Sequence, residues 1–243
     1  MLLLCLPIVI PASSYPLATY QIQTSSNKTQ QHKDALLLSN ALDYFMSEKY
    51  HESLLILQQL DKKYRLNPRY LAYLGVCYYY EWDYKHAIKY LNEAIPQLEN
   101  FDPHERSLYF YDDAESYFYM SEYEKAIPLY QEMLTLCYKN EKPDALYRIG
   151  FCYMFTKDWM NARDYFAMAL LEYKKYRNTS DMKARIIQIT NMIIGCQQHL
   201  PKGFYQIPVC HSLISDQLLN TTQKDTLINI SIKKSLVYKK QNK

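Results

Sequence analysis

Three series of residues run through this chain at one shared and irregular set of intervals. The aromatics Tyr50, Tyr84, Tyr123 and Trp159 stand 34, 39 and 36 positions apart. The tyrosines Tyr44, Tyr78, Tyr117 and Tyr153 repeat those intervals, and so do the small residues Ser53, Ala87, Ala126 and Ala162. Composition alone does not generate three coincident series, so the chain holds four copies of one unit. A chain of such copies folds as an array of stacked modules.

The copy over 68–101 shows what the module is. Leu71, Leu74, Gly75 and Tyr78 step by three and four and so share one face of a helix. After Glu81-Trp82-Asp83 a second run, Tyr84, Ala87, Leu91 and Ala94, steps the same way. The small residues Gly75 and Ala87 allow the two helices to cross closely, with larger neighbours filling the space around them. One such hairpin has too little interior to stand alone. Pro96 and Pro128 fall inside the expected second helices of copies two and three, where a proline costs about 3 kcal/mol. Those two helices are expected to bend or fray.

With these residues the chain resembles the tetratricopeptide repeat (TPR) family, whose period is about 34 residues. The Leu-Gly pair of the family signature stands here as Leu74-Gly75 and Ile149-Gly150, and is replaced by Asn40-Ala41 and Asp113-Ala114 in the other copies. The resemblance implies an all-α fold, a right-handed α-solenoid of four helical hairpins with a C-terminal capping helix. The expected order is an export signal over 1–18, a polar linker over 19–33, and repeats over 34–67, 68–101, 107–140 and 143–176. A capping helix over 179–199 and a basic tail over 201–243 follow.

The first 18 residues combine an apolar run with small residues at Ala12, Ser13, Ser14 and Ala18, but lack the basic start of a signal. Export, to a periplasm for example, is expected if that signal operates, and a cytoplasmic location otherwise. The run is too short to span a membrane, which takes about 20 residues. The tail holds seven lysines against two aspartates, a net charge of +5 within a chain of +3. Ile228, Ile230 and Ile232 alternate with polar residues there, as in a strand. The array carries no basic stripe, so no specific nucleic acid is expected as a partner.

Only four glycines occur, at Gly75, Gly150, Gly195 and Gly203. Phosphate-binding loops, dinucleotide fingerprints and nucleophile elbows all need closely spaced glycines and are excluded. The six cysteines include no CxxC pair, and Cys77 and Cys152 hold equivalent places in two copies, which points to packing. The six histidines include no HExxH motif and no i, i+4 pair, so neither a metal nor a cofactor is expected. Asp112 and Asp113 are adjacent and face different sides of a helix. With Glu115 they are expected to form a solvated or partner-facing patch, and no catalytic group is visible.

In the TPR family the first helix of each hairpin lines a concave groove that holds a peptide or helix of a partner. Carried over by position, the groove comprises Leu38, Leu42 and Phe45, then Val76, Tyr79 and Tyr80. Tyr111, Glu115, Phe118 and Tyr119 come next, followed by Tyr147, Arg148, Phe151 and Phe155. Tyr80, Tyr119 and Phe155 occupy one place in three successive copies and suggest a ladder of exposed rings. The family's carboxylate clamp is not expected, because Leu38 and Leu42 stand where its Lys and Asn would, although Arg148 is present. The resemblance thus implies a scaffold for a protein partner offering apolar or aromatic side chains. The alternative is a carbohydrate or small-ligand site that uses the ladder for stacking, with Asp112, Glu115 and Arg148 as its polar groups.

Overall fold

The computed structural model describes residues 28–177 and 179–201. Among them are nine α-helices: α1 (Lys28–Met46), α2 (Tyr50–Tyr64), α3 (Pro68–Tyr80), α4 (Tyr84–Ala94), α5 (Pro103–Tyr119), α6 (Tyr123–Leu136), α7 (Lys142–Phe155), α8 (Trp159–Tyr176) and α9 (Lys183–Gln198). No strand occurs in the described residues. Helices pack in chain order, as four hairpins α1–α2, α3–α4, α5–α6 and α7–α8, with α9 laid against α8. The fold is a TPR-type α-solenoid. First helices of successive hairpins meet through aromatic side chains, Phe45 on Tyr73, Tyr73 near Tyr109 and Phe118 near Phe155, and the face they share is the one expected to line the groove, called the inner face below.

Each hairpin is closed by the same turn, and no glycine makes it. Glu48, Trp82, Ser121 and Lys157 lie in the left-handed region with φ between 59° and 62°, again 34, 39 and 36 apart. The next residue donates its N–H to the carbonyl five positions back, Lys49 to Tyr44, Asp83 to Tyr78, Glu122 to Tyr117 and Asp158 to Tyr153. These bonds satisfy carbonyls that the helix end leaves unpaired. Asp83 and Asp158 then cap the following helices by accepting the N–H of His86 and Asn161.

Where the helices cross, Gly75 and Gly150 leave no room for a side chain. A Cβ on Gly75 would lie 2.7 Å from Leu91 Cγ, and one on Gly150 2.6 Å from Phe166 Cδ1. The equivalent Ala41 and Ala114 are fully buried in the same role. Cys77 and Cys152 are buried thiols, pushed up to about 12 by burial, so packing is the role their environment permits.

Several boundaries differ from expectation. Helix α1 starts at Lys28, inside the stretch read as linker, and Gln30 bonds Asp34 one turn on, at 3.1 Å. Asp34 is buried against Lys63 and Tyr64 of α2, which ties that polar turn to the array. The third hairpin starts at Pro103, four residues early, because Asp102 accepts the N–H groups of His104 and Glu105 and proline suits a first helical position. Pro96 ends α4 in a short 3₁₀ turn (Ile95–Gln97), whereas α6 runs on through Pro128. At 180–182 a 3₁₀ turn precedes α9. The export signal and nearly all of the basic tail lie outside the described residues.

Candidate functional site: the aromatic inner face

The inner face is built from the last two turns of each first helix, where the sequence places aromatics at equivalent positions. Tyr80, Tyr119 and Phe155 end α3, α5 and α7 and are 46, 49 and 48 % exposed. Each ring is held by the aromatic that opens the second helix one hairpin earlier. Tyr50 stacks on Tyr80 with centroids 4.0 Å apart, Tyr84 on Tyr119 at 4.9 Å, and Tyr123 on Phe155 at 5.0 Å. Trp159 continues the pattern by stacking on His199 at 4.0 Å, so α9 stands where a fifth first helix would. Each rung is thus backed by a stacked ring and keeps about half of its surface exposed. Offset stacking of this kind contributes about 1 kcal/mol per pair beyond area burial.

Beneath the ladder runs a half-buried row. Leu38, Leu42, Phe45, Tyr79, Tyr111, Phe118 and Phe151 are partly covered by neighbouring hairpins. Phe118 meets Phe155 at 6.0 Å, and Phe151 meets Phe155 at 5.9 Å. These half-buried side chains lie on the same first helices as the Tyr80, Tyr119 and Phe155 rungs.

Three residues expected to face a partner do not. Val76, Glu115 and Tyr147 are buried, and Tyr147 lies against Phe166 of α8 and the Arg185 guanidinium of α9. Glu115 accepts hydrogen bonds from Arg148 Nη2, at 2.6 Å, and from the Tyr130 hydroxyl. The Arg148 guanidinium also sits 4.8 Å over Phe118 and 5.7 Å over Tyr119. Arg148 is therefore engaged within the array.

The acidic patch read as solvated is also corrected. Asp112, Asp113 and Glu115 are all buried. Asp113 takes the place held by Leu74 and Ile149 in neighbouring hairpins, and neither of its carboxylate oxygens has a partner. Burial pushes its carboxyl up to about 8. Burial likewise raises Asp112, with the charges of Glu115 and Asp113 adding to it.

Fold and inner face together define a TPR-type solenoid, and solved structures agree. MamA of the AMB-1 form matches with a TM-score of 0.57 at 12 % identity, over 79 % of this chain and 97 % of that one. MamA from Desulfovibrio magneticus RS-1 matches at 0.52 with 13 % identity, over 76 % and 98 %. A putative kinesin light chain of Podosopora anserina with nearly identical TPR-like repeats matches at 0.51 with 13 % identity, over 76 % and 95 %. No protein-family model matches the sequence, and no curated relative matches it. Among the described residues there is no group of side chains that could hold a metal ion, and no helix long and apolar enough to cross a membrane.

Proposed function

We propose that this chain is a non-enzymatic scaffold whose inner face binds a segment of a partner protein. The carrying observation is the ladder: three rings, half exposed, equally placed, and each held from behind by a stacked partner ring. Preorganised aromatics lose little freedom on binding and serve as anchors for apolar side chains. A segment offering such side chains, as an extended peptide or an amphipathic helix, fits the row of half-buried residues beneath. Binding of a sugar is less favoured, because one face of each ring is taken and Glu115 and Arg148 are spent on each other.

The test is affinity capture with mass spectrometry on the full chain beside the triple variant Tyr80→Glu, Tyr119→Glu and Phe155→Glu, with the fold of both verified by circular dichroism. A protein recovered with the native chain and lost from the folded variant is the expected result. Identical recovery with both would sink the proposal.

A further inference from the structure

One contact between equivalent positions joins first helices at the first and third steps between hairpins. At the first step Phe45 of α1 stacks on Tyr73 of α3, centroids 4.4 Å apart. At the third, Phe118 of α5 receives the Arg148 guanidinium of α7 at 4.8 Å. Residues 45, 79 and 118 are equivalent in the repeat, as are 73, 112 and 148. By that equivalence the middle step pairs the positions of Tyr79 in α3 and Asp112 in α5. The position that holds a ring at the first step and a cation at the third holds a carboxylate at the second. The face of an aromatic ring carries partial negative charge, so this is the one unfavourable combination of the three.

The surroundings of Asp112 do not relieve it. Asp112 is only 8 % exposed. No hydrogen bond or ion pair reaches its carboxylate among the described residues, whereas Glu115, one turn on, holds both Arg148 and Tyr130. Burial raises the hydroxyls of Tyr50, Tyr79 and Tyr80, and the charge of Asp112 adds to it at each. Tyr80 is half exposed, so the middle step opens onto the groove. A buried carboxylate of this kind is stable in ionised form only with a counter-ion.

We infer that the missing cation arrives with the partner: a lysine or arginine of the bound segment lies over Tyr80 and pairs with Asp112, flanked by apolar side chains on the Tyr119 and Phe155 rungs. Charge complementarity supports a basic segment, since residues 34–176 hold 16 Lys and Arg against 22 Asp and Glu. The third step already shows the arrangement complete, with Arg148 between an acid and two rings. This inference rests on the inner face being the docking surface.

The test pans a random dodecapeptide phage library on the immobilised full chain, on Asp112→Asn, and on the Tyr80→Glu, Tyr119→Glu, Phe155→Glu variant, each verified as folded. Peptides selected by the native chain should carry Lys or Arg beside apolar residues, and that enrichment should vanish on Asp112→Asn. For one selected peptide, replacing its lysine by norleucine should weaken binding to the native chain at least tenfold in fluorescence anisotropy and leave binding to Asp112→Asn nearly unchanged. Equal enrichment on Asp112→Asn, or no basic residue among peptides that need the ladder, would overturn the inference while leaving the groove intact. Peptides that bind all three proteins alike would overturn the groove reading itself. A synthetic peptide of residues 224–243 that binds the groove more tightly than any selected sequence would show that the cation belongs to this chain, and would overturn its assignment to a partner.

Discussion

Arg148 donates from Nη2 to the Glu115 carboxylate at 2.6 Å and so bridges the third and fourth hairpins across their inner face. Glu115 is 1 % exposed and also accepts from the Tyr130 hydroxyl. Removing one partner strands a buried charge, which costs about 3–5 kcal/mol. Arg148→Ala is therefore expected to lower stability by about 3 kcal/mol in urea denaturation. The double variant Glu115→Val with Arg148→Met, which installs the valine found at the equivalent Val76, should recover part of that loss, the buried Tyr130 hydroxyl being left without its acceptor. A double variant as unstable as the single one would contradict this account of the pair.

Asp113 occupies a leucine position with both carboxylate oxygens unpaired. Its carboxyl is raised to about 8 in the folded chain, against about 3.9 when unfolded. Folding then takes up a proton between those values. The stability held by the neutral form is complete below about pH 3.9 and falls by up to about 1.4 kcal/mol per pH unit as pH rises towards 8. Asp113→Leu should raise the melting temperature at pH 7.5 and flatten its decline between pH 5 and 8. An unchanged pH dependence in the variant would show that another group sets it.

The glycines divide by what surrounds them. Gly75→Ala and Gly150→Ala drive a Cβ into Leu91 and Phe166 and should each cost about 1–3 kcal/mol. A Cβ on Gly195 in α9 meets nothing within 4 Å. Gly195→Ala should therefore stabilise the chain by about 0.5–1 kcal/mol, as alanine does inside helices. Thermal melts of the three variants that rank otherwise would displace the crossing assignment.

Trp82 sits at φ 61° in the second turn with its side chain 80 % exposed. The left-handed conformation costs a non-glycine residue about 1–2 kcal/mol. Trp82→Gly should accordingly raise stability by about 1 kcal/mol, read as a higher urea midpoint with an unchanged slope. A lower midpoint would mean that the indole contributes packing that outweighs its backbone strain.

Much of this architecture was legible because the repeat writes itself at equal intervals in residues of one chemical kind. Tyr50, Tyr84, Tyr123 and Trp159 announce the second helices, and Tyr80, Tyr119 and Phe155 announce the ladder. The turns were not legible residue by residue, since Glu48, Trp82, Ser121 and Lys157 share a backbone conformation and no side-chain chemistry. Nor was the burial of Asp113 and Glu115, because an acidic residue in an amphipathic helix reads as solvent-facing until its neighbours are known. Arg148 carried the one available signal, a lone base among the groove positions, and its partner lay in the preceding hairpin. The role of His199 escaped because the interval to the last rung, 44 residues from Phe155, departs from the period.

The most direct test of the central claim places the photo-crosslinker p-benzoylphenylalanine at Tyr119 on the inner face and, separately, at the exposed Leu55 of the outer helix α2, and irradiates each full chain with its captured partner. A crosslinked partner peptide from position 119 and none from position 55 is the predicted result. Crosslinking from position 55 alone would place the partner on the outer surface and contradict the account.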